Sequence, residues 1–251
     1  MCTLVLLRRP RDLWPLVIAA NRDEMRDRPG LPPGRHWPER PGVIGGRDPV
    51  GGGSWLAVAD RGLVAAVLNR RGSLGPAAGK RSRGELVLKA LEHSGARRAA
   101  AALARIDPGA WRSFNLVVAD RGEAFWLRHA GDGRITVRPL GDGLTMLTAG
   151  EADDPTCARI RRHRPRFLRL ASPAPDNPDW RGWQRLLAAT AEDTADPREA
   201  MCIRTEGGYG TVSASILAFP ADPAAAPLWL YADGPPNEAP FRSVPLSRPA
   251  P

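Results

Sequence analysis

The stretch Leu16-Val17-Ile18-Ala19-Ala20-Asn21-Arg22-Asp23-Glu24 decides the fold, because an unbroken apolar run passes directly into four polar or charged residues. Such a run reads as a buried strand, and strand alternation then sends Asn21 and Asp23 to one face and Arg22 and Glu24 to the other. A second apolar run, Cys2 to Leu7, lies just upstream. The two read as the strands of a hairpin. If they pair, Asp23 comes beside the start of the chain, where it can fix an amine on Cys2. A charged loop after a strand is the plainer reading of the same four residues.

Cys2 directly follows Met1. A small second residue lets an aminopeptidase remove the methionine, which would leave a thiol and a free α-amine on one residue. The amine titrates at about 7.7–8.0 and the thiol at about 8.5, so near neutral pH the amine can take the thiol's proton, directly or through one water. Cys2 would then be nucleophile and base at once. Burial as a small hydrophobe at the head of the first strand is the alternative.

Wider features bound the function class. The chain has 251 residues, enough for a full core, and 43% hydrophobic and 25% charged residues are ordinary for a globular protein. We expect one domain over residues 1–246 and a frayed tail over 247–251. No apolar run approaches the roughly 20 residues a membrane helix needs. The short N-terminal run has no basic residues before it and no cleavage site after it, so a cytoplasmic location is expected. Cys2, Cys157 and Cys202 are too few and too scattered for a disulfide framework or a metal site. The net charge of +9 comes almost wholly from arginines spread along the chain. The one dense cluster, Arg159 to Arg169, reads as the solvated face of a helix, without an aromatic platform for nucleic acid.

Further along, Arg26 to Gly53 is rich in Pro and Gly and reads as a long binding loop or lid. Ser54 to Ala59 and Leu63 to Asn69 read as a hairpin over Asp60-Arg61-Gly62, and Phe114 to Ala119 with Glu123 to Arg128 as another over Asp120-Arg121-Gly122. Ser82-Arg83-Gly84-Glu85 has capping-box spacing before a helix, and Ala96 to Ile106 follows as a second helix. Strands at Ile135 to Arg138 and Leu144 to Leu147 are expected to continue that sheet. Helices follow near Asp154 to Leu170 and Pro178 to Thr190, the latter with Trp180, Trp183, Leu187 and Ala191 on one side. Strands at Thr211 to Phe219, Leu228 to Ala232 and Arg242 to Val244 close the chain. This order fits an α+β class with layered antiparallel sheets. Gly51-Gly52-Gly53 lacks the Gly-Lys that makes a phosphate loop and points to a close backbone approach, under the nucleophile in this reading. Among the histidines only His36, beside Trp37, stands where a ligand could be touched.

Taken together, Met1-Cys2, Ala19-Ala20-Asn21-Arg22-Asp23-Glu24, Arg28-Pro29, Gly52-Gly53-Ser54-Trp55-Leu56, Ser82 to Val87, Phe114-Asn115-Leu116 and Tyr209-Gly210-Thr211 resemble, in order, the motifs of the NRDE family, also called the transport and Golgi organisation protein 2 family. That family in turn resembles the N-terminal-nucleophile hydrolases, among them cysteine amidases such as bile salt hydrolases and penicillin V acylases. The resemblance implies a four-layer αββα fold with two stacked, mainly antiparallel sheets.

It also implies roles. Cys2 matches the nucleophile, Asp23 the aspartate that holds the N-terminal amine, and Asn69 the asparagine whose backbone helps build an oxyanion hole. Asn21, Arg22, Trp55 and Tyr209 are the expected substrate contacts, and no cofactor or metal is called for. The sequence departs from the amidase pattern at Ala20 and Ala149, where those enzymes have arginine and asparagine. It departs from the family's own habit at Val212 and Ala214. Losing one oxyanion donor typically costs about 10²–10³ in rate, so weak or absent turnover of an N-acyl amide is the expectation. The alternative, also implied by the resemblance, is a carrier or chaperone for a hydrophobic acidic ligand such as haem or an acyl-CoA, with haem trafficking as its setting.

Overall fold

The computed structural model describes residues 2–170, 173, 178–222 and 224–246, so the expected frayed tail from Ser247 lies outside the described residues. The chain forms two compact units, one built from Met1–Arg28 with Asp142–Pro251 and the other from Pro29–Gly141.

The first unit is a six-stranded antiparallel sheet with helices on one face. The opening hairpin supplies β1 (Thr3–Arg8) and β2 (Leu16–Met25), with Leu4 opposite Ala20 and Thr3 opposite Asn21. Between that hairpin and the rest of this sheet the chain builds the second unit, with strands β3 to β9 and helices α1 and α2. The chain then returns through β10 (Gly143–Leu147), α3 (Ala158–Leu168), α4 (Arg181–Leu187), β11 (Tyr209–Phe219), β12 (Leu228–Ala232) and β13 (Phe241–Ser243). The spatial order β10-β1-β2-β11-β12-β13 flanks β1 with β10 and β2, so it is an interior strand, and every residue of it is buried. Odd-numbered residues of the hairpin, Val5, Leu7, Val17 and Ala19, pack with Ile160, Phe167, Trp180, Trp183 and Leu187 of the helix layer. Ala191, expected on that apolar side, is exposed because α4 ends before it. Leu144 to Leu147 pairs with β1 and so belongs to this sheet, not to the one it was expected to extend.

The second unit is a seven-stranded antiparallel sheet in simple chain order. Its strands are β3 (Leu31–Gly34), β4 (Val43–Arg47), β5 (Leu56–Ala59), β6 (Val64–Asn69), β7 (Phe114–Ala119), β8 (Ala124–His129) and β9 (Ile135–Pro139), with α1 (Gly84–Ala90) and α2 (Ala96–Leu103) between β6 and β7. The segment read as a lid therefore contains two strands. Pro32 and Pro33 hid the first, since proline is unfavourable in a sheet interior, but β3 is an edge strand, where a missing donor is tolerated. The two Asp-Arg-Gly turns work differently. Gly62 adopts φ +86, whereas Asp120 closes the second turn with its own carboxylate, accepting from Gly122 N and Glu123 N at 2.9 Å each. The other Asp120 oxygen caps α2 at Ala96 N, 2.8 Å.

Two local expectations are corrected. The capping box does not form, because Arg83 occupies the cap of α1 without a side-chain bond and Glu85 turns back to Arg81. The close approach of the glycine run is to Gly84, whose backbone a Cβ on Gly53 would overlap. That contact seats the start of α1.

Candidate active site

Opposite residues of an antiparallel pair share a face. Since Thr3 stands against Asn21, the neighbouring position sets Cys2 against Arg22, on the face away from the helices. The Cys2 sulfur meets the main chain of the next residue: Asp23 N donates to Sγ at 3.3 Å, and Sγ donates to Asp23 O at 3.4 Å. β2 thus brings the peptide of Asp23 to the sulfur and sends its carboxylate to the helix side.

There the carboxylate is held by a hydroxyl and a charge. Thr211 Oγ1 donates to Oδ1 at 2.7 Å while accepting from Ile203 N at 2.9 Å. Arg159 Nη1 lies 3.5 Å from Oδ2 and donates to Thr3 Oγ1 at 2.6 Å. The Asp23 side chain is wholly buried and that of Arg159 is 7% exposed, so this cation is a core residue and not part of a solvated face. Helical spacing held the clue, because Arg159, His163 and Phe167 recur every four residues and all are buried. Thr3 gave no sequence signal, as its partner is distant in the chain.

Asn21 points to the same helix side. Both its amide hydrogens go to main-chain carbonyls, Leu187 O at 2.9 Å and Met201 O at 3.0 Å. It ties the end of α4 and the segment at Met201 to β2. Tyr209, opposite Met25, donates its hydroxyl to Asp23 O at 3.2 Å, the carbonyl that also accepts from the thiol. Cys2, Asp23, Thr211 and Tyr209 therefore form one cluster.

Burial pushes the Cys2 thiol above its ordinary range, and the nearby Asp23 charge pushes it further, against a smaller pull from Arg22. The thiol is held protonated until a base takes its proton. Burial, with the nearby Asp23 charge adding, also keeps the Tyr209 hydroxyl neutral. Cys202 is likewise pushed up by burial and donates to Asn237 Oδ1 at 3.0 Å.

The departing positions fall into two groups. Ala20 is on the sulfur's face, opposite Leu4, and Ala149 lies two residues past Leu147, the β10 residue paired with Leu4. Val212 is the extra residue of a bulge between Thr211 and Ser213, and Ala214 packs into the helix-side core opposite Asn21.

The remaining expected residues belong to the second unit. Asn69 ends β6 opposite Phe114. Arg70, which follows it, donates to Asn115 Oδ1 at 2.7 Å, and Arg83 donates to Ser73 O at 2.6 Å and Ser113 O at 3.0 Å, so the loop leaving Asn69 is pinned by arginines. Trp55 lies over Gly46 so closely that a Cβ there would enter its ring. His36 bonds Pro32 O at 2.8 Å within its own hairpin. Among the described residues no three His, Cys, Asp or Glu side chains are grouped to hold a metal ion, and no helix is long and apolar enough to cross a membrane.

A family model described as Transport and Golgi organisation 2 matches residues 1–224. No curated protein matches the chain by sequence. Among solved structures, the chain is similar to an N-acylethanolamine-hydrolyzing acid amidase orthologue of Caenorhabditis elegans, with a TM-score of 0.58 and 12% identity over 97% of this chain and 100% of that one. It is also similar to two variants of the conjugated bile acid hydrolase of Clostridium perfringens, each with a TM-score of 0.53 and 12% identity. One covers 98% of this chain and 97% of its own, the other 97% and 96%. At this identity the likeness is one of fold, and it bears out the α+β, N-terminal-nucleophile hydrolase-like architecture read from the sequence.

Proposed function

The chain belongs to the transport and Golgi organisation 2 family, and from that premise and its fold we propose that it is an N-terminal-cysteine hydrolase of a small, non-peptide N-acyl amide. One observation carries the reading: the Cys2 sulfur lies against the Asp23 peptide while the Asp23 carboxylate is locked by Thr211 and Arg159. A packing cysteine needs no such buried, ionic support. The family match and the structural likeness both run through the two units, which supports one functional domain over residues 1–246.

Removal of Met1 frees the α-amine of Cys2, which supplies the base that the raised thiol requires. The amine takes the thiol proton, and the thiolate adds to the amide carbonyl carbon. Main-chain N–H donors stabilise the resulting oxyanion. The C–N bond then breaks as the ammonium returns its proton to the departing amine, leaving a thioester on Cys2. Water, deprotonated by the same amine, adds to the thioester, and its collapse releases the acid and restores the thiol. Arg22 and Tyr209 contact substrate, and Asn21 acts by bracing β2. With Ala20 and Ala149 in place of two polar side chains, turnover is slow.

The experiment is a panel of N-acyl amides assayed with the wild type and Cys2→Ala. Amine release that vanishes in Cys2→Ala, with ligand affinity nearly unchanged, is the expected result, since the substitution removes a transition-state interaction. Release that persists in Cys2→Ala would overturn the assignment, and so would retention of Met1 in the mature protein by intact-mass measurement.

A further inference from the structure

A cleft of about 310 Å³ opens in the second unit, where the turn between β8 and β9 meets the loop that follows Asn69. Two of the side chains lining it, His129 and Trp111, are only 4% exposed. His129 ends β8 opposite Phe114 and shares its face, the one packed by α1 and α2, with the two rings 5.6 Å apart. Its Nδ1 lies 3.2 Å from Arg134 O. A carbonyl only accepts, so Nδ1 carries the proton and the neutral ring keeps a lone pair on Nε2. Nε2 has no hydrogen-bond partner among the described residues, and neither has the indole N–H of Trp111. Neither atom is sealed into the core. Polar atoms so nearly buried are normally paired, so both call for a partner within the cleft.

The charge on the walls is positive. Lys80 and Arg112 line the cleft and, among the described residues, no acidic side chain does. Arg112 gives its guanidinium to the carbonyls of Leu74, Gly72 and Gly75 at 2.6, 3.0 and 3.2 Å, which fixes the loop and leaves the charge beside the cleft. Lys80 spends one ammonium hydrogen on Gly109 O at 2.5 Å and has two left. Ser113 has its carbonyl occupied by Ser73 and Arg83, while its hydroxyl has no partner among the described residues. That hydroxyl lies 3.2 Å from where a Cβ on Gly131 would stand, so glycine there leaves it uncovered. The cleft thus offers three kinds of donor, at Lys80, Ser113 and Trp111, and one acceptor, His129 Nε2.

Donors of that charge select an oxyanion, and the nearly buried acceptor among them selects an oxyanion that still carries a hydroxyl. We infer that this cleft is a binding site for hydrogenphosphate, whose bare oxygens accept from Lys80, Ser113 and Trp111 while its one O–H donates to His129 Nε2. Sulfate has the same shape and charge but no proton to give. A phosphomonoester, with a second pKa of about 6, has also lost its proton above neutral pH. Hydrogenphosphate binding here requires nothing of Cys2.

Binding is measured by isothermal titration calorimetry at about pH 8, in chloride buffer of matched ionic strength, with sodium phosphate, sodium sulfate and glycerol phosphate as titrants. Wild-type protein should hold phosphate about tenfold more tightly than sulfate or the ester, since either of these leaves the His129 acceptor unpaired. His129→Asn keeps an amide N–H where Nδ1 stands and removes Nε2, so it should weaken phosphate to the level of sulfate. Lys80→Met, at an exposed position, should weaken all three anions about tenfold, the scale of one lost charged hydrogen bond, and it tests the site even if His129→Asn does not fold. Phosphate that does not bind, that binds no more tightly than sulfate or the ester, or that is held unchanged by either variant in its folded form overturns the site.

Discussion

Arg159 of α3 and Asp23 of β2 form an ion pair at 3.5 Å, and the Asp23 side chain is wholly out of water. Breaking such a pair from one side strands a charge, which costs about 3–5 kcal/mol, whereas neutralising both partners costs much less. Arg159→Gln should therefore destabilise by that amount in urea denaturation. Asp23→Asn combined with Arg159→Gln should recover most of the loss, because Thr211 can still donate to the amide oxygen that the first substitution leaves in place of the carboxylate. A double variant as unstable as the sum of its parts would show that the two charges are not coupled.

The pair also shows where the sequence could be read and where it could not. The hairpin of β1 and β2 follows from its continuous apolar runs, the Asp-Arg-Gly turns from their turn residues, and the facing of Asn21 and Asp23 from strand alternation, all local properties. Strand β3 escaped notice because its prolines are acceptable only at an edge, and edge position is a property of the whole sheet. The contact of Thr3 with Arg159 joins remote parts of the chain and leaves no local trace. Leu144 to Leu147 was legible as a strand, but its choice of β1 as partner was not, since pairing between antiparallel strands is settled by where the intervening chain returns.

His163 gives a pH prediction on stability. Its Nε2 donates to Glu199 O at 2.8 Å, and burial, aided by the Arg166, Arg162 and Arg159 charges, lowers its pKa to about 4. A histidine depressed in the folded state takes its proton more readily when unfolded. The unfolded chain is thus favoured as pH falls from about 6.5 towards about 4, with no effect above that window, and the full loss is about 3 kcal/mol. His163→Gln lacks the titration, so its melting temperature should fall less steeply over the same window. Parallel slopes for the two proteins would refute the assignment.

The site itself was partly legible. Cys2 and Asp23 stood out by chemistry and spacing, and they do meet, but through the Asp23 peptide, while the carboxylate turns to Thr211 and Arg159. Asn21 was expected to touch substrate as part of the Asn21-Arg22-Asp23-Glu24 motif that carries the family resemblance. Its two bonds to Leu187 O and Met201 O depend on where α4 docks, which no local pattern reveals.

The sulfur offers the most direct check on the electrostatics. The Cys2 thiol is raised first by burial and second by the Asp23 carboxylate, so its rate of alkylation by iodoacetamide, which follows the thiolate, should have its midpoint above the ordinary thiol value of about 8.5 in protein that retains Met1. Asp23→Asn removes a negative charge that opposes ionisation. The sign is then fixed: the midpoint should move down, and the rate near neutral pH should rise. Arg22→Gln removes a favourable positive charge and should move the midpoint up by a smaller amount, in keeping with its lesser place among the causes. Cys202, buried and bonded to Asn237, should label more slowly than Cys2 throughout and serves as the internal reference. An upward shift in Asp23→Asn would mean that the carboxylate assists the thiolate, contrary to the geometry described for it.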